Sequence, residues 1–472
     1  MFIRQKKFLC TLCTIIVCAP NYVYAKDAAS SPFLTGPLGL NTISNTHTVD
    51  SDSLPEKPDR ISSQTSFGDQ SAQWPLLQIP EIHAPTLRDI HSDGKVISAS
   101  LQLDSSYSSS KQVGQAAKAL LETSDQDTEI FEITPFITNL RGPKVSLLRS
   151  DIEKSYTAHN RSPQEIWRNT SFSNSDASKP SWRTSSANQN KFAVHLEEDI
   201  DLAMEERSLL HRTSLLVEHK NEGFLGFLRV NQALRLNLSN NLDHLQYYRN
   251  ANDKITKGNI DEFSNNAISL DHAYLSYNHS FTSKWHGNLS IGYLDEFYVG
   301  AGAEILYRPF DSRFAFSAEI WDVVKRDPYT ALNAGWGNET SVTGFASLWY
   351  DIPYSETTAQ LQIGRFLAGD QGIKLGLSKR FINGVRLSGD FVINNDKEAN
   401  ISGSDTNTYH SLNLNIPLGN FQYIPEGSEA RLKNHPMGRN NGQTISIQST
   451  LNDLVQKLSL GHISNHFRDI TK

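Results

Sequence analysis

Cysteine and long apolar runs are scarce in this sequence. Its 472 residues include 3 cysteines, and all of them, Cys10, Cys13 and Cys18, lie in the N-terminal segment. Without that segment the chain has no thiol, which excludes a disulfide framework and a thiolate metal site. Beyond it, no stretch approaches the roughly 18 consecutive apolar residues of a membrane-spanning helix. The sequence therefore predicts a fold without disulfide bonds and without a transmembrane helix.

A basic excess and the common catalytic motifs are also missing. The 44 Lys and Arg residues are outnumbered by 51 Asp and Glu residues, and the net charge is −7. Nucleic-acid-binding proteins usually carry a basic patch, so a nucleic acid is not an expected partner. The sequence has no HExxH, GxSxG or P-loop motif and no Cys/His metal-ligand spacing. We therefore predict no enzyme, no cofactor and no metal site.

Two acidic groups keep an enzymatic alternative open. Closely spaced carboxylates occur in residues 197–201 and in the pair Asp295-Glu296. Such groups could supply the acid and the base of a barrel enzyme that acts on polysaccharide or lipid. Neighbouring residues of a strand point to opposite faces, however. Solvated acids at a rim or in a wet lumen explain the two groups more simply.

The first 25 residues are organised like a secretory signal peptide. A basic start precedes an apolar core over residues 8–17, and Val23-Tyr24-Ala25 places small residues where signal peptidase reads them. We expect cleavage after Ala25. A lipoprotein signal would have a small residue before its cysteine, whereas Cys18 follows Val17.

Alternation of apolar and polar residues dominates the chain after residue 190. In residues 299–307 most odd positions are apolar or aromatic, and residues 314–321, 373–378 and 385–394 alternate in a similar way. Side chains of a strand point to opposite faces with period two, so each segment has one apolar and one polar face. The polar faces carry Lys, Arg, Asp and Glu, which a soluble β-sandwich does not turn toward its core.

Strand length and aromatic residues favour a membrane barrel over a soluble sheet. Strands of about 9–13 residues suit a bilayer crossing at a tilt of about 45°, and aromatic residues near strand ends are typical of an interfacial girdle. The pattern predicts about 12 to 14 strands, the last two at residues 444–451 and 457–467. The predicted fold is mainly β, an antiparallel transmembrane β-barrel with a small N-terminal β-α-β-β periplasmic module.

The sequence divides into five predicted regions. They are a signal peptide at 1–25, a disordered Ser/Pro-rich linker at 26–94, a small α/β module at 95–156, a second linker at 157–190 and the outer-membrane β-barrel at 191–472. In the module, residues 111–122 carry a helical apolar stripe between strand-like segments. A unit of this size buries little core by itself. We therefore expect it to pack on the barrel or on a partner.

Six charged residues on the polar strand faces are candidates for lining the lumen. They are Glu304, Glu319, Lys374, Arg380, Arg386 and Asp390. In a barrel whose outer face meets lipid, such side chains point into a polar interior. They either line an open channel or close it with ion pairs, and the sequence leaves both interpretations open.

Four sequence motifs resemble those of a known family. They are residues 307–315 (YRPFDSRFA), 364–372 (GRFLAGDQG), 378–386 (SKRFINGVR) and 416–418 (IPL), in this order. These motifs resemble the YjbH-like family of Gram-negative outer-membrane β-barrel proteins associated with exopolysaccharide and capsule production. The resemblance covers about residues 285–445. Gln371 stands where the family usually has Trp, which weakens a sugar-stacking role at that position.

The resemblance implies a role in polysaccharide export or in its outer-membrane assembly, and it brings no catalytic residues with it. The implied partners are outer-membrane lipid, polysaccharide and other exopolysaccharide export proteins. Arg365 and Asp370 bracket the turn of the second motif, and we expect them to form an ion pair at the rim. The sequence thus favours a barrel that acts in exopolysaccharide secretion as a polar conduit or an assembly component. A non-transporting scaffold and a barrel enzyme are the alternatives.

Overall fold

The computed structural model describes residues 86–471 with short gaps. The gaps are residues 105–107, 158–161, 176–188, 203–208, 226, 244, 246–254, 331, 336, 338, 382, 400–404, 420 and 422. The predicted signal peptide and most of the predicted first linker lie outside the described residues. Within the described part, no helix has both the length and the apolar character to cross a membrane.

A six-stranded sheet forms the first part of the described chain. Its strands are β1 (Thr86–Ser92), β2 (Val96–Gln102), β3 (Ile130–Ile137), β4 (Leu140–Arg141), β5 (Lys144–Leu148) and β6 (Ser171–Ser173). They are ordered β1-β2-β3-β5-β6, and β4 pairs with β3. Strands β2 and β3 are parallel, since the helix α1 (Ser109–Thr123) carries the chain back between them.

The sheet and three helices enclose an apolar core. Helix α1 begins after Ser108, whose side chain accepts a hydrogen bond from the first turn. Its apolar stripe joins the inward residues of β2 and β3, including Leu101 and Phe131, in one buried cluster. Helices α2 (Arg149–Thr157) and α3 (Pro163–Asn169) each add a buried isoleucine to this cluster. We call β1–β6 with α1–α3 the N-terminal module.

The N-terminal module is larger than the sequence indicated. Strand β1 lies within residues 26–94, and α3 and β6 lie within residues 157–190, which were both expected to be linkers. The predicted helix at residues 111–122 corresponds to α1.

Thirteen strands then close into a barrel. They are β7 (Gln189–Asp201), β8 (Leu210–Phe224), β9 (Leu228–Asn240), β10 (Ile268–Ser280), β11 (Trp285–Tyr293), β12 (Tyr298–Tyr307), β13 (Phe314–Lys325), β14 (Thr340–Ile352), β15 (Thr357–Arg365), β16 (Gln371–Arg380), β17 (Arg386–Ala399), β18 (Asp405–Pro417) and β19 (Glu429–Asn434). Consecutive strands pair antiparallel, and β19 closes the ring by pairing parallel with β7. The predicted mainly β fold with a closed barrel of about 12 to 14 strands is confirmed.

The barrel is polar inside and apolar outside. Along β7, His195, Glu197 and Asp199 are buried, whereas the alternate residues Phe192 and Leu196 are 60% and 44% exposed. Other strands also expose apolar side chains, among them Leu234, Ile291, Ile320, Ile373, Leu375, Phe391 and Leu412. The period-two alternation therefore builds the reverse of a soluble core.

The two ends of the barrel differ in their connections. Tight turns join β10 to β11 and β14 to β15 at one end, whereas the two longest connections, residues 241–267 with the short helix α4 (Ile260–Ser264) and residues 326–339, lie at the other. The N-terminal module binds the tight-turn end, where Asn139 Nδ2 donates to the carbonyl of Phe227 at 2.9 Å. The backbone N–H of Arg141 also donates there to Ser280 Oγ at 3.0 Å. We call these ends the module end and the loop end.

After β19 the chain enters the barrel instead of adding strands. It continues through α5 (Leu451–Gln456), α6 (Leu460–Asn465) and a 3-10 helix (Phe467–Thr471). The predicted strands at residues 444–451 and 457–467 are therefore wrong.

A helical signal was present in this part of the sequence. Four buried apolar residues recur at the spacing of one helix face, namely Leu451, Leu454, Val455 and Leu458. Thr450 and Asp453 also form a capping box at the start of α5. Short apolar segments fit both the helical and the strand period in part. Here the capping box at Thr450 favours the helix.

The end of the chain is bound to α1 of the N-terminal module. Ser109 Oγ donates to the carbonyl of Lys457 at 2.7 Å, and Ser110 Oγ donates to the carbonyl of Ile463 at 2.8 Å. Gly114 permits the closest approach, because a Cβ there would lie 1.8 Å from the carbonyl oxygen of Ile470. The last helices therefore pack as part of the module core.

Candidate functional site: the barrel lumen and the segment that crosses it

The wall formed by β7–β10 carries a buried ion-pair network centred on Arg235. The guanidinium lies 2.8 Å from a carboxylate oxygen of Glu197 and 2.6 Å from one of Asp271. It also donates to Ser214 Oγ at 2.7 Å. These side chains meet because each occupies an inward position on its own strand. Their mutual pairing matters, since a buried ion without a partner is costly.

A second arginine joins the acidic groups that suggested an enzyme. Arg212 lies 2.9 Å from Asp199 and 3.0 Å from Glu296. Asp295 is 2.7 Å from Lys257 Nζ. The carboxylates are thus held by cations on neighbouring elements. This arrangement favours neutralised lumen charges over a general acid and base.

Glu304 and Glu319 occupy facing register positions on β12 and β13. The carboxylate of Glu304 accepts a hydrogen bond from the backbone N–H of Leu451 at 3.0 Å. Glu319 accepts from Trp321 Nε1 at 3.3 Å and from Gln362 Nε2 at 3.1 Å. Both side chains are therefore turned away from the apolar outer face.

The other four predicted lumen residues line one cavity toward the module end. Its volume is about 180 Å³, and its lining includes Lys374, Arg380, Arg386 and Asp390. Lys374 Nζ lies 3.4 Å from Asp390 Oδ2, and Arg386 lies 3.5 Å from a carboxylate oxygen of Asp453. The structure brings these residues together, and their part in polysaccharide transit stays a prediction.

Charges from the C-terminal part of the chain complete this cavity. Lys457 lines the cavity together with Arg380. Asp453 lines it as well and accepts a hydrogen bond from Thr450 Oγ1 at 2.9 Å. The cavity therefore offers several charged hydrogen-bond donors, as a hydroxyl-rich or acidic ligand requires.

Arg365 and Asp370 do not form the expected ion pair with each other in the described structure. Arg365 is exposed, whereas Asp370 is buried and accepts from Asn394 Nδ2 at 2.8 Å and from the N–H of Gly442 at 2.9 Å. Burial raises the pKa of Asp370. The pair is absent because the Asp370 carboxylate is buried among its own hydrogen-bond donors, whereas the Arg365 side chain stays exposed.

Residues 435–459, which we call the crossing segment, pass through the lumen from the loop end to the module end. The backbone N–H of His435 donates to the end of β7 at 3.0 Å. Farther along, Leu451 bonds to Glu304 inside the barrel. The N–H of Leu460 then donates to the turn after β12 at 2.7 Å. In the described structure the protein's own chain therefore runs along the lumen from one end to the other.

Glu398 on β17 holds the crossing segment at the loop end. Its carboxylate accepts from Arg439 Nε at 3.1 Å and from the backbone N–H groups of Asn440 and Asn441, each at 3.0 Å. Asn440 Oδ1 in turn accepts from the N–H of Thr256 at 2.8 Å. One buried carboxylate thus gathers several donors, and hydrogen bonds to charged groups are among the strong ones.

Arg308 holds the segment at the module end. Its fully buried guanidinium donates to Asn452 Oδ1 at 2.7 Å and also contacts Asp351. Gln456 donates to Asp351 at 3.0 Å and to Thr358 Oγ1 at 2.8 Å. Arg308 belongs to the first family motif, but the sequence analysis gave it no role. In the sequence Arg308 is visible only as a cation next to a strand end. Its role can be recognised only when its partner in the crossing segment, Asn452, is known.

Comparison with known proteins identifies a family to which the sequence is similar. A family model described as "Exopolysaccharide biosynthesis protein YbjH" matches residues 22–457. A curated relative, the "uncharacterized lipoprotein YjbH" of Escherichia coli (strain K12), is 29% identical over 234 residues. That match covers 48% of this chain and 33% of the relative, so the chain matches about a third of the relative's length.

Proposed function

Because the chain belongs to the YjbH family of exopolysaccharide biosynthesis proteins, we propose that it is an outer-membrane β-barrel that takes part in exopolysaccharide secretion. In the form described above, with the crossing segment in the lumen, the barrel is a closed assembly component. It becomes a polar conduit when that segment leaves the lumen.

The inverted polarity of the barrel carries this proposal. Apolar side chains such as Ile320 and Leu375 are 57% and 51% exposed on the outer face, while ions such as Arg235 are buried inside. An apolar outer face of this extent is stable in lipid, whereas in water it would promote association. Outer-membrane barrels have short periplasmic turns and long external loops. The N-terminal module is accordingly periplasmic, and the loop end faces the outside.

In this proposal the N-terminal signal peptide directs export of the chain. The E. coli relative is named a lipoprotein, but Cys18 of this chain follows Val17 rather than a small residue. We therefore propose cleavage after Ala25 rather than lipid attachment. Mass spectrometry of the mature N-terminus decides between the two.

The charged cavity at the module end supports a contact with polysaccharide. Arg380, Arg386 and Lys457 supply charged donors for sugar hydroxyls or uronic carboxylates. Glu304 and Glu319 continue the polar surface deeper in the barrel. A polymer that followed this path would have to displace the crossing segment.

Single-channel conductance in planar bilayers tests the conduit. We expect few openings from the mature wild-type protein and frequent openings from the Glu398→Ala variant, because the crossing segment loses its anchor at the loop end. Polysaccharide added on one side should block the steps. Glu129→Ala is the matched control, since it removes an exposed glutamate of the N-terminal module that pairs with Lys95 at the surface and should change nothing.

A non-transporting scaffold is the second candidate, and the attachment of the chain's end to the module favours it. The bonds from Ser109 and Ser110 and the close contact at Gly114 hold the last helices in place. A Glu398→Ala barrel that is folded by heat-modifiable gel mobility but never conducts would contradict the conduit. Secretion by cells that carry this non-conducting variant would then identify the scaffold.

A further inference from the structure

Three side chains of metal-binding type converge at the module end of the barrel. Glu356 comes from the turn between β14 and β15, His462 lies on α6, and His466 caps the end of that helix. One ligand-type atom of each lies within 4.8 Å of the other two. We propose that Glu356, His462 and His466 bind a divalent transition-metal ion, with Zn²⁺ as the best match to two imidazoles and one carboxylate.

The distances suit a shared ion better than direct hydrogen bonds. His462 Nδ1 and His466 Nδ1 lie 3.7 and 3.9 Å from the carboxylate oxygens of Glu356. His466 Nδ1 donates to the carbonyl of His462 at 3.0 Å, which leaves its Nε2 as the nitrogen that can bind an ion. Good N–H···O hydrogen bonds measure about 2.7–3.2 Å. Ligands about 2.0–2.1 Å from a tetrahedral Zn²⁺ stand roughly 3.3 Å apart. No two of the three ligand atoms are more than 4.8 Å apart, so that side-chain shifts of at most about 1.5 Å bring all three groups to that spacing.

Local structure holds the three groups in place. Ser459 caps α6 by accepting from the N–H of His462 at 3.3 Å. Residues four apart on a helix lie on one face, and the two imidazole rings are 4.4 Å apart between centroids. Asn465 Nδ2 donates to the carboxylate of Glu356 and fixes its orientation.

The three ligands leave one coordination position for water or another oxygen donor. Glu356 and His462 line both the cavity of about 180 Å³ described above and a second cavity of about 270 Å³ beside it. Arg380 and Lys457 border the adjacent cavity. Their positive charge competes with the ion, so the carboxylate is needed for binding as well as the imidazoles.

A bound ion would link the end of the crossing segment to the barrel. Glu356 lies in a turn between two barrel strands, whereas both histidines follow directly after the segment. This inference does not depend on the proposed function. No metal site was expected because no Cys/His metal-ligand spacing was recognised in the sequence. Residues 457–467 were separately predicted as a strand, in which residues four apart stand about 13 Å from each other.

Zn²⁺ binding to the purified full chain in detergent tests the site. After treatment with a chelator, calorimetry should give one Zn²⁺ per chain, and Co²⁺ in its place should give the intense visible absorption of a tetrahedral site. Glu356→Gln, His462→Ala and His466→Ala should each weaken binding at least tenfold. His91→Ala, which removes an exposed histidine of β1, is the control and should bind like the wild type.

A second measurement separates loss of the ion from loss of the fold. Zn²⁺ should slow proteolysis within residues 456–471 of the wild-type chain and leave the rate unchanged in His462→Ala. All variants should keep the gel mobility of a folded barrel. Stoichiometric binding that persists in the His462→Ala/His466→Ala double variant, or absence of binding by the folded wild type, would overturn the proposal.

Discussion

In the N-terminal module, the inward residues of the strands are apolar, whereas in the barrel they are charged. Leu101 and Phe131 are fully buried in the module, and Lys144 pairs with Glu132 on its outside. In the barrel, Arg235 is buried and Leu375 is exposed. Both regions use the same two-residue alternation. The difference teaches that alternation defines two faces, and that the surrounding medium decides which of them is turned inward.

The C-terminal part of the chain changes character as it passes from one region to the other. Inside the loop end of the barrel it is polar, and Asn440 bonds to Glu398. From Leu451 onward it is apolar at helical spacing and joins the module core with Phe467 and Ile470. The polarity of each part of the chain therefore matches the interior in which it lies, polar in the barrel and apolar in the module.

The largest effect is expected from Arg235→Leu in the barrel. The change leaves Glu197 and Asp271 buried without their shared cation, which should cost about 3–5 kcal/mol of unfolding free energy. Urea titration of the refolded barrel, followed by gel mobility, measures it. Arg365→Leu, which alters an exposed arginine, should stay within about 0.5 kcal/mol. Equal effects of the two variants would mean that the lumen network does not stabilise the barrel.

A somewhat smaller effect is expected from Leu101→Ala in the module. Truncation of this fully buried side chain should cost about 3 kcal/mol, because it removes apolar contacts and leaves a cavity. Hydrogen exchange of β2 and β3 reports the local loss while β7–β19 keep their protection. Ser100→Ala, at the neighbouring half-buried position, is the control. A loss of protection spread evenly over barrel and module would show that the two regions unfold as one.

The smallest effect is expected from Leu375→Ala on the outer face of the barrel. In the proposed membrane location the leucine faces lipid or detergent, so that shortening it loses only the transfer from water, about 2 kcal/mol, and leaves no cavity in the protein. The same urea titration measures it. A cost as large as that of Leu101→Ala would show that Leu375 is covered by protein, and the contrast between the two regions would fail.

Much of the barrel could be predicted from alternation alone, because the polar and apolar faces of a strand are determined by its own sequence. The inward direction of Glu304, Lys374 and Asp390 follows from that period. Which residues of paired strands meet does not follow from the period. Arg235 meets Asp271 only through the register of β9 and β10.

The C-terminal helices were missed for a different reason. Their apolar residues lie in segments short enough to suit either period, and the cap at Thr450 decides in favour of a helix. Once residues 457–467 are placed on a strand, His462 and His466 are far apart. Glu356, which lies much earlier in the chain, cannot then be connected with them.

The parallel pairing of β19 with β7 has a consequence for assembly. Strands that reverse direction at every turn return to their starting end only when their number is even, and this wall has 13. The wall therefore finishes at the end opposite the module, and the shortest way back leads through its interior. Either the ring closes around a tail that is already inside, or the tail threads a finished ring. Closing the seam last, over the six residue pairs from Glu429 to Asn434, avoids the threading, and we expect folding in that order.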